Sequence, residues 1–217
     1  MIGSSNHVNT VCADVTIKGR TGGYSLVETV IALVILLILT AVSLPYIVNY
    51  KRLYKTEDQA IKVMDFMREA GQLALTKRRT IRVDIDLSNP ANPVIRMADN
   101  SGATDILAKT IPLEPSSQVR MDVAPTGVAV PTPPGYVIPT LAAGVWTLRF
   151  RSDGSVVNAA GIPISGTLIL WPPSTVPYNA ANLTPRSPGE VRAITLFGGS
   201  GAVRYWKYNG TTFLPFS

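Results

Sequence analysis

The order of apolar and polar positions divides the chain into three stretches. From Tyr24 to Val48 nearly every position is apolar, over 25 residues with Glu28 as the one charge. A bilayer-crossing helix needs roughly 20 such residues, so this run is long enough to span. A secretory signal has a shorter apolar core followed by a small-residue cleavage site, and neither holds here. From Asn49 to Thr76 the pattern becomes one-sided. Ala60, Val63, Met64, Met67, Ala70 and Ala74 recur at spacings of three and four, with Lys62, Asp65, Arg68 and Glu69 between them. That periodicity predicts a helix with one apolar face, continuing the first. Lys77, Arg78 and Arg79 stand where a helix C-terminus favours cations.

After Arg79 the period changes to two. Ile81, Val83 and Ile85 alternate with Arg82, Asp84 and Asp86, and Trp146, Leu148 and Phe150 alternate with Thr147 and Arg149. Further strands are expected at Val94–Met97, Gln118–Val123, Ser155–Val157, Thr167–Trp171, Val191–Phe197 and Ala202–Tyr208. Asp153-Gly154 and Asn209-Gly210 are hairpin turns. Two proline-studded connections, around Pro125–Pro139 and Pro172–Pro188, separate the strands. About seven strands result, mostly antiparallel.

The expected fold is therefore α+β. A long N-terminal helix, transmembrane and then amphipathic, packs on a mostly antiparallel C-terminal β-sheet or β-sandwich. The expected divisions are a leader at 1–23, an apolar helix at 24–48, its amphipathic continuation at 49–79 and a globular β domain at 80–217.

Composition narrows the chemistry. The 217 residues include 17 glycines and 17 prolines, which suits a loop-rich β domain. Cys12 is the single cysteine and His7 the single histidine. No intrachain disulfide can form, and zinc sites, cysteine nucleophiles and histidine triads lose their usual residues. Carboxylate-only or Ser/Lys chemistry remains open, but no spacing recommends it. No cofactor is expected. The net charge of +6 permits contact with nucleic acid or anionic lipid. Lys18 and Arg20 precede the apolar run while Lys51, Arg52 and Lys55 follow it, so the balance of cations leaves orientation open.

Two features of the apolar run need a reason. Glu28 is costly in hydrocarbon, at about 2.5–3.5 kcal/mol on insertion scales, and should find a partner. Pro45 removes a helix hydrogen bond and loosens the turn before it. With Gly23, Tyr24, Ser25, Leu26 and Val27, Glu28 forms a motif that resembles the class III signal of type IV pilins and of type II secretion pseudopilins. Tyr24 stands where that family usually has phenylalanine, and the leader of 23 residues is longer than most.

The resemblance implies cleavage between Gly23 and Tyr24 by a prepilin peptidase and N-methylation of Tyr24. It also implies a structural role for Glu28 and Pro45 in assembly with other pilin or pseudopilin subunits, at an inner-membrane assembly platform. The protein would be a non-enzymatic, single-pass bacterial inner-membrane protein. Its leader would be cytoplasmic and its globular domain periplasmic or extracytoplasmic, and it would later sit in a pilus or pseudopilus. The segment Leu148–Val156, with Thr167–Trp171, Arg192–Leu196 and Gly201–Tyr205, resembles the GspH/FimT minor pilin group, some members of which bind DNA. Residues 149–217 hold six basic residues against two acidic ones. Arg192, Arg204, Lys207 and Trp206 are the candidate DNA contacts, cations interleaved with an aromatic ring. A DNA-binding minor pilin of a DNA-uptake apparatus is the alternative within this class. A membrane-anchored enzyme is the alternative outside it.

Overall fold

The computed structural model describes residues 25–100, 106–128, 136–174 and 178–216. A single helix, α1 (Leu26–Lys77), is followed by β1 (Ile81–Asp86), β2 (Val94–Asp99), β3 (Ile106–Pro112), β4 (Tyr136–Val137) and β5 (Val145–Phe150). Then come β6 (Val156–Val157), β7 (Ser165–Leu170), β8 (Arg192–Phe197), β9 (Ala202–Tyr208) and β10 (Phe213–Phe216). The chain divides into two compact units, Met1–Tyr46 and Ile47–Ser217, the boundary falling one residue after Pro45.

In the first unit, α1 opens on Ser25, whose carbonyl accepts from the N–H groups of Glu28 and Thr29 and from the Thr29 hydroxyl. The Thr40 hydroxyl donates to the Leu36 carbonyl and the Ser43 hydroxyl to that of Thr40. These side chains thus satisfy their hydroxyls on the helix itself, which an apolar medium requires. Helical backbone continues through Pro45.

In the second unit, the expected apolar stripe is buried in full: Ala60, Val63, Met64, Met67, Ala70 and Ala74, joined by Phe66. Lys62, Asp65, Arg68 and Glu69 are exposed. α1 ends in a Schellman-type closure, with the Arg79 N–H bonded to the Ala74 carbonyl and Arg78 at φ 51°. That left-handed conformation is ordinary for glycine and costs an L-residue about 1 kcal/mol.

The strands form two five-stranded sheets, in the orders β3-β2-β1-β5-β6 and β10-β9-β8-β7-β4. Every pairing between named strands is antiparallel except β4 with β7. One core gathers the helix stripe, Ile81, Val83 and Ile85 of β1, Leu148 and Phe150 of β5, and Leu168, Leu170, Ile194 and Leu196 of β7 and β8. Each fully buried large side chain of this kind stabilises the fold by about 1.5–3 kcal/mol. The first sheet turns its other residues to the surface, where Arg96 pairs with Asp86 and Arg82 with Asp84.

The second sheet is covered on both faces. Ile169, Trp171, Val191, Ala193 and Tyr208 form a second apolar cluster, beneath Val123, Ala124, Val128 and Leu183 of the proline-studded connections. Arg120 fastens this cover. Its guanidinium is 2% exposed, bonds both oxygens of Asp122, and donates to the carbonyls of Ala180 and Asn182. It also stacks 5.1 Å from the Trp171 ring. The two sheets are tied where the Val156 N–H bonds the Gly198 carbonyl at 2.7 Å. A Cβ on Gly198 would lie 2.5 Å from the Ile164 carbonyl oxygen, so only glycine fits that approach.

Three strand expectations change. Gln118–Val123 is not a strand but holds a single bridge, Arg120 to Trp171, because it turns to cover the second sheet. β3 had no counterpart in the sequence reading. Its residues are almost all exposed, and its register with β2 shifts between Met97 and Ala98, so no alternation survives. The two-residue strand β4 was read only as part of a proline-rich loop.

Candidate functional site

Gly23 and Tyr24, the expected cleavage and methylation positions, lie outside the described residues. Glu28 sits in the first turn of α1, where the helix dipole favours a carboxylate. It is exposed, and among the described residues its carboxylate has no hydrogen-bond or ion-pair partner. Around it the apolar side chains are exposed throughout, from Leu26 at 79% to Val34 at 49%. The window Leu26–Ser43 has a mean hydropathy of 2.6 and none of it is buried. At about 1.5 Å per residue these positions cover most of a hydrocarbon core. Pro45 follows within the same helix.

The four candidate DNA contacts do not share a face. The period of two along β9 sends Lys207 to the side of α1, and Arg204 and Trp206 to the other side. Arg192 stands opposite Lys207 in the β8–β9 register. Both reach Glu57 of α1: Lys207 Nζ lies 2.6 Å from Oε1 and Arg192 Nη2 3.4 Å from Oε2. Arg192 also donates to the carbonyls of Gly189 and Val191 and is 8% exposed. A phosphate could reach it only by displacing Glu57. The Trp206 indole N–H bonds the Thr195 hydroxyl at 2.9 Å. Arg204 is exposed, and its side chain has no polar partner among the described residues.

The electrostatics fit a structural cluster. Burial acts to raise the Glu57 pKa, but the hydrogen bond and charge of Lys207 and the charge of Arg192 outweigh it, and the carboxyl lies below its ordinary value. Burial, with the Glu57 charge adding to it, pushes the Tyr205 hydroxyl up to about 12 against the opposing pull of Arg192. These groups lock the helix to β8 and β9.

No family model, curated protein or solved structure matches the chain. Its site must therefore be argued from its own residues. Among the described residues no group of three or more His, Cys, Asp or Glu side chains could hold a metal.

Sequence reasoning missed Glu57 and Arg120. The partners of Glu57 lie 135 and 150 residues further along the chain, and nothing local marks it. Arg120 left one usable sign, an arginine two residues before Asp122 inside an apolar stretch, which suggests a paired rather than a solvated cation.

Proposed function

We propose that the chain is a pilin-like structural subunit of a type IV pilus or type II secretion pseudopilus, held in the membrane and assembled through its N-terminal helix. The observation that carries this reading is the first turn of α1. An exposed apolar helix able to cross a membrane carries a carboxylate, Glu28, with no partner among the described residues. A membrane helix that keeps such a group needs a cation brought to it from elsewhere. A free amine on Tyr24 would supply it, either on the same chain or on a neighbouring subunit. Assembly then gains a device for setting register, a use for which buried polar groups are known. The reading assigns cleavage to the Gly23–Tyr24 bond, N-methylation to Tyr24, and packing roles to Glu28 and Pro45. The protein is then not an enzyme, and its partners are a prepilin peptidase, other subunits and the assembly platform.

Mass spectrometry of the protein from cells with an active prepilin peptidase should find an N-methylated tyrosine at the start. An intact leader there would refute the assignment. Glu28→Ala should leave membrane insertion intact and abolish recovery in sheared filaments. A membrane-anchored enzyme would tolerate that change.

A further inference from the structure

The end of the β domain at which α1 terminates collects cations that neither the fold nor the assembly reading uses. Lys77, Arg78 and Arg79 close the helix. The pairing of Ile81 with Phe150 brings the next residue, Arg151, to the same end. Leu75 touches Gly154 in the turn after β5, and that turn touches Gly201 in the turn between β8 and β9. Arg68 reaches the Val203 carbonyl from α1, and Arg204 follows one residue later on β9. The acidic groups there are already engaged. Asp99 faces Arg79 at 3.4 Å. Asp153 accepts from the N–H and hydroxyl of Ser155, which, with Arg151 nearby, keeps its pKa low. The side chains of Lys77, Arg78 and Arg204 are exposed and make no hydrogen bond or ion pair among the described residues.

One of these cations occupies a position that disfavours it. Arg78 sits at φ 51°, at the helix-closing site where glycine is commonest. Strained positions of this kind cluster where a side chain serves something other than the fold. The guanidinium gives the domain nothing internally, so its use lies outside the chain.

We propose that this end of the domain binds a nucleic-acid strand, with Lys77, Arg78, Arg151 and Arg204 on its phosphates. Most of the cations are arginines, whose planar forks match phosphate oxygens. Phe197, 45% exposed at the start of the Gly198–Gly201 turn, offers a ring on which a base can stack. The surface is distinct from the face of β9 that carries Lys207 and from the helix segment around Glu28.

Arg78→Gly separates this role from stability. In full-length protein held in nonionic detergent, the variant should melt at a higher temperature than the parent. It should also bind a labelled oligothymidylate several-fold more weakly, with the slope of log K against log salt reduced by about 0.7, one single-strand phosphate contact. Arg78→Lys should recover much of the affinity without the gain in melting temperature. The parent should prefer the oligonucleotide to inorganic polyphosphate of equal charge, and Phe197→Ala should erase that preference. Unchanged affinity and salt slope in Arg78→Gly would overturn the proposal. Equal binding of polyphosphate by the parent would remove the nucleic acid from it. Capture by anionic vesicles without oligonucleotide binding would assign the surface to a membrane instead. Leader processing and filament recovery should be unaffected by Arg78→Gly, so this proposal and the assembly reading fail separately.

Discussion

The two parts of α1 use apolar residues in opposite ways. Between Leu26 and Ser43 the helix is apolar all round and none of it is buried. Between Ala60 and Ala74 it is apolar on one side, and that side is sealed into the core. The second part has found its partner within the chain, so its pattern describes stability. The first part has not, so its pattern describes something outside the chain. An exposed apolar surface of that length would be a liability in water. It makes sense only in lipid or against other helices, and it is there that Glu28 acquires meaning.

Substitutions in the two parts should therefore differ most in unfolding. Phe66→Ala should cost the β domain about 3–5 kcal/mol, the range for emptying a buried aromatic site, measured by denaturant unfolding in detergent. A loss below about 1 kcal/mol would mean that the stripe is not the domain's anchor.

Glu57→Gln should have a smaller effect, with a distinct pH signature. Glu57 is held below its ordinary value of 4.5 by Lys207 and Arg192, against the opposing effect of burial. Its contribution is present above that unfolded value and is lost as pH falls through the lower folded value. The gap between parent and variant should be about 1–2 kcal/mol at neutral pH, the range for a charge-assisted bond, and should close on acidification below 4.5. A gap that is constant down to pH 3 would break this account.

Leu36→Ala, on the exposed apolar part, should have the smallest effect, within about 0.5 kcal/mol in the same unfolding measurement. A larger loss would show that the first part of the helix packs against its own chain after all.

The legible parts of the fold were those set by local period. The helix stripe from Ala60 to Ala74 and the alternations of β1, β5 and β9 were readable because one face of each is buried and the other is not. β3 was unreadable because neither face is sealed and a bulge breaks its register. Gln118–Val123 looked like a strand because it is apolar, but its apolar residues cover a sheet rather than extend one. The candidate DNA contacts illustrate a different failure. Arg204, Trp206 and Lys207 are adjacent in sequence, yet a strand sends neighbours to opposite faces, so Lys207 goes to Glu57 and Arg204 to the surface. Applied to these three residues, the period of two would have separated them. The partners of Glu57 and Arg120 could not have been inferred, because they depend on tertiary closure over long separations.

β3 has one more consequence. It is seven residues long, stands at the edge of its sheet, and exposes Ile106 at 67% and Leu107 at 60%. An edge of that kind is a template for pairing with another chain and so for aggregation. Two features blunt it. The irregular register with β2 spoils a straight ladder, and Lys109 is drawn to Glu69 of α1, placing a charge at mid-strand. The pair Lys109–Glu69 contributes little to stability as an exposed ion pair. Its value lies in solubility: it keeps one copy of this domain from adding its strand to the next.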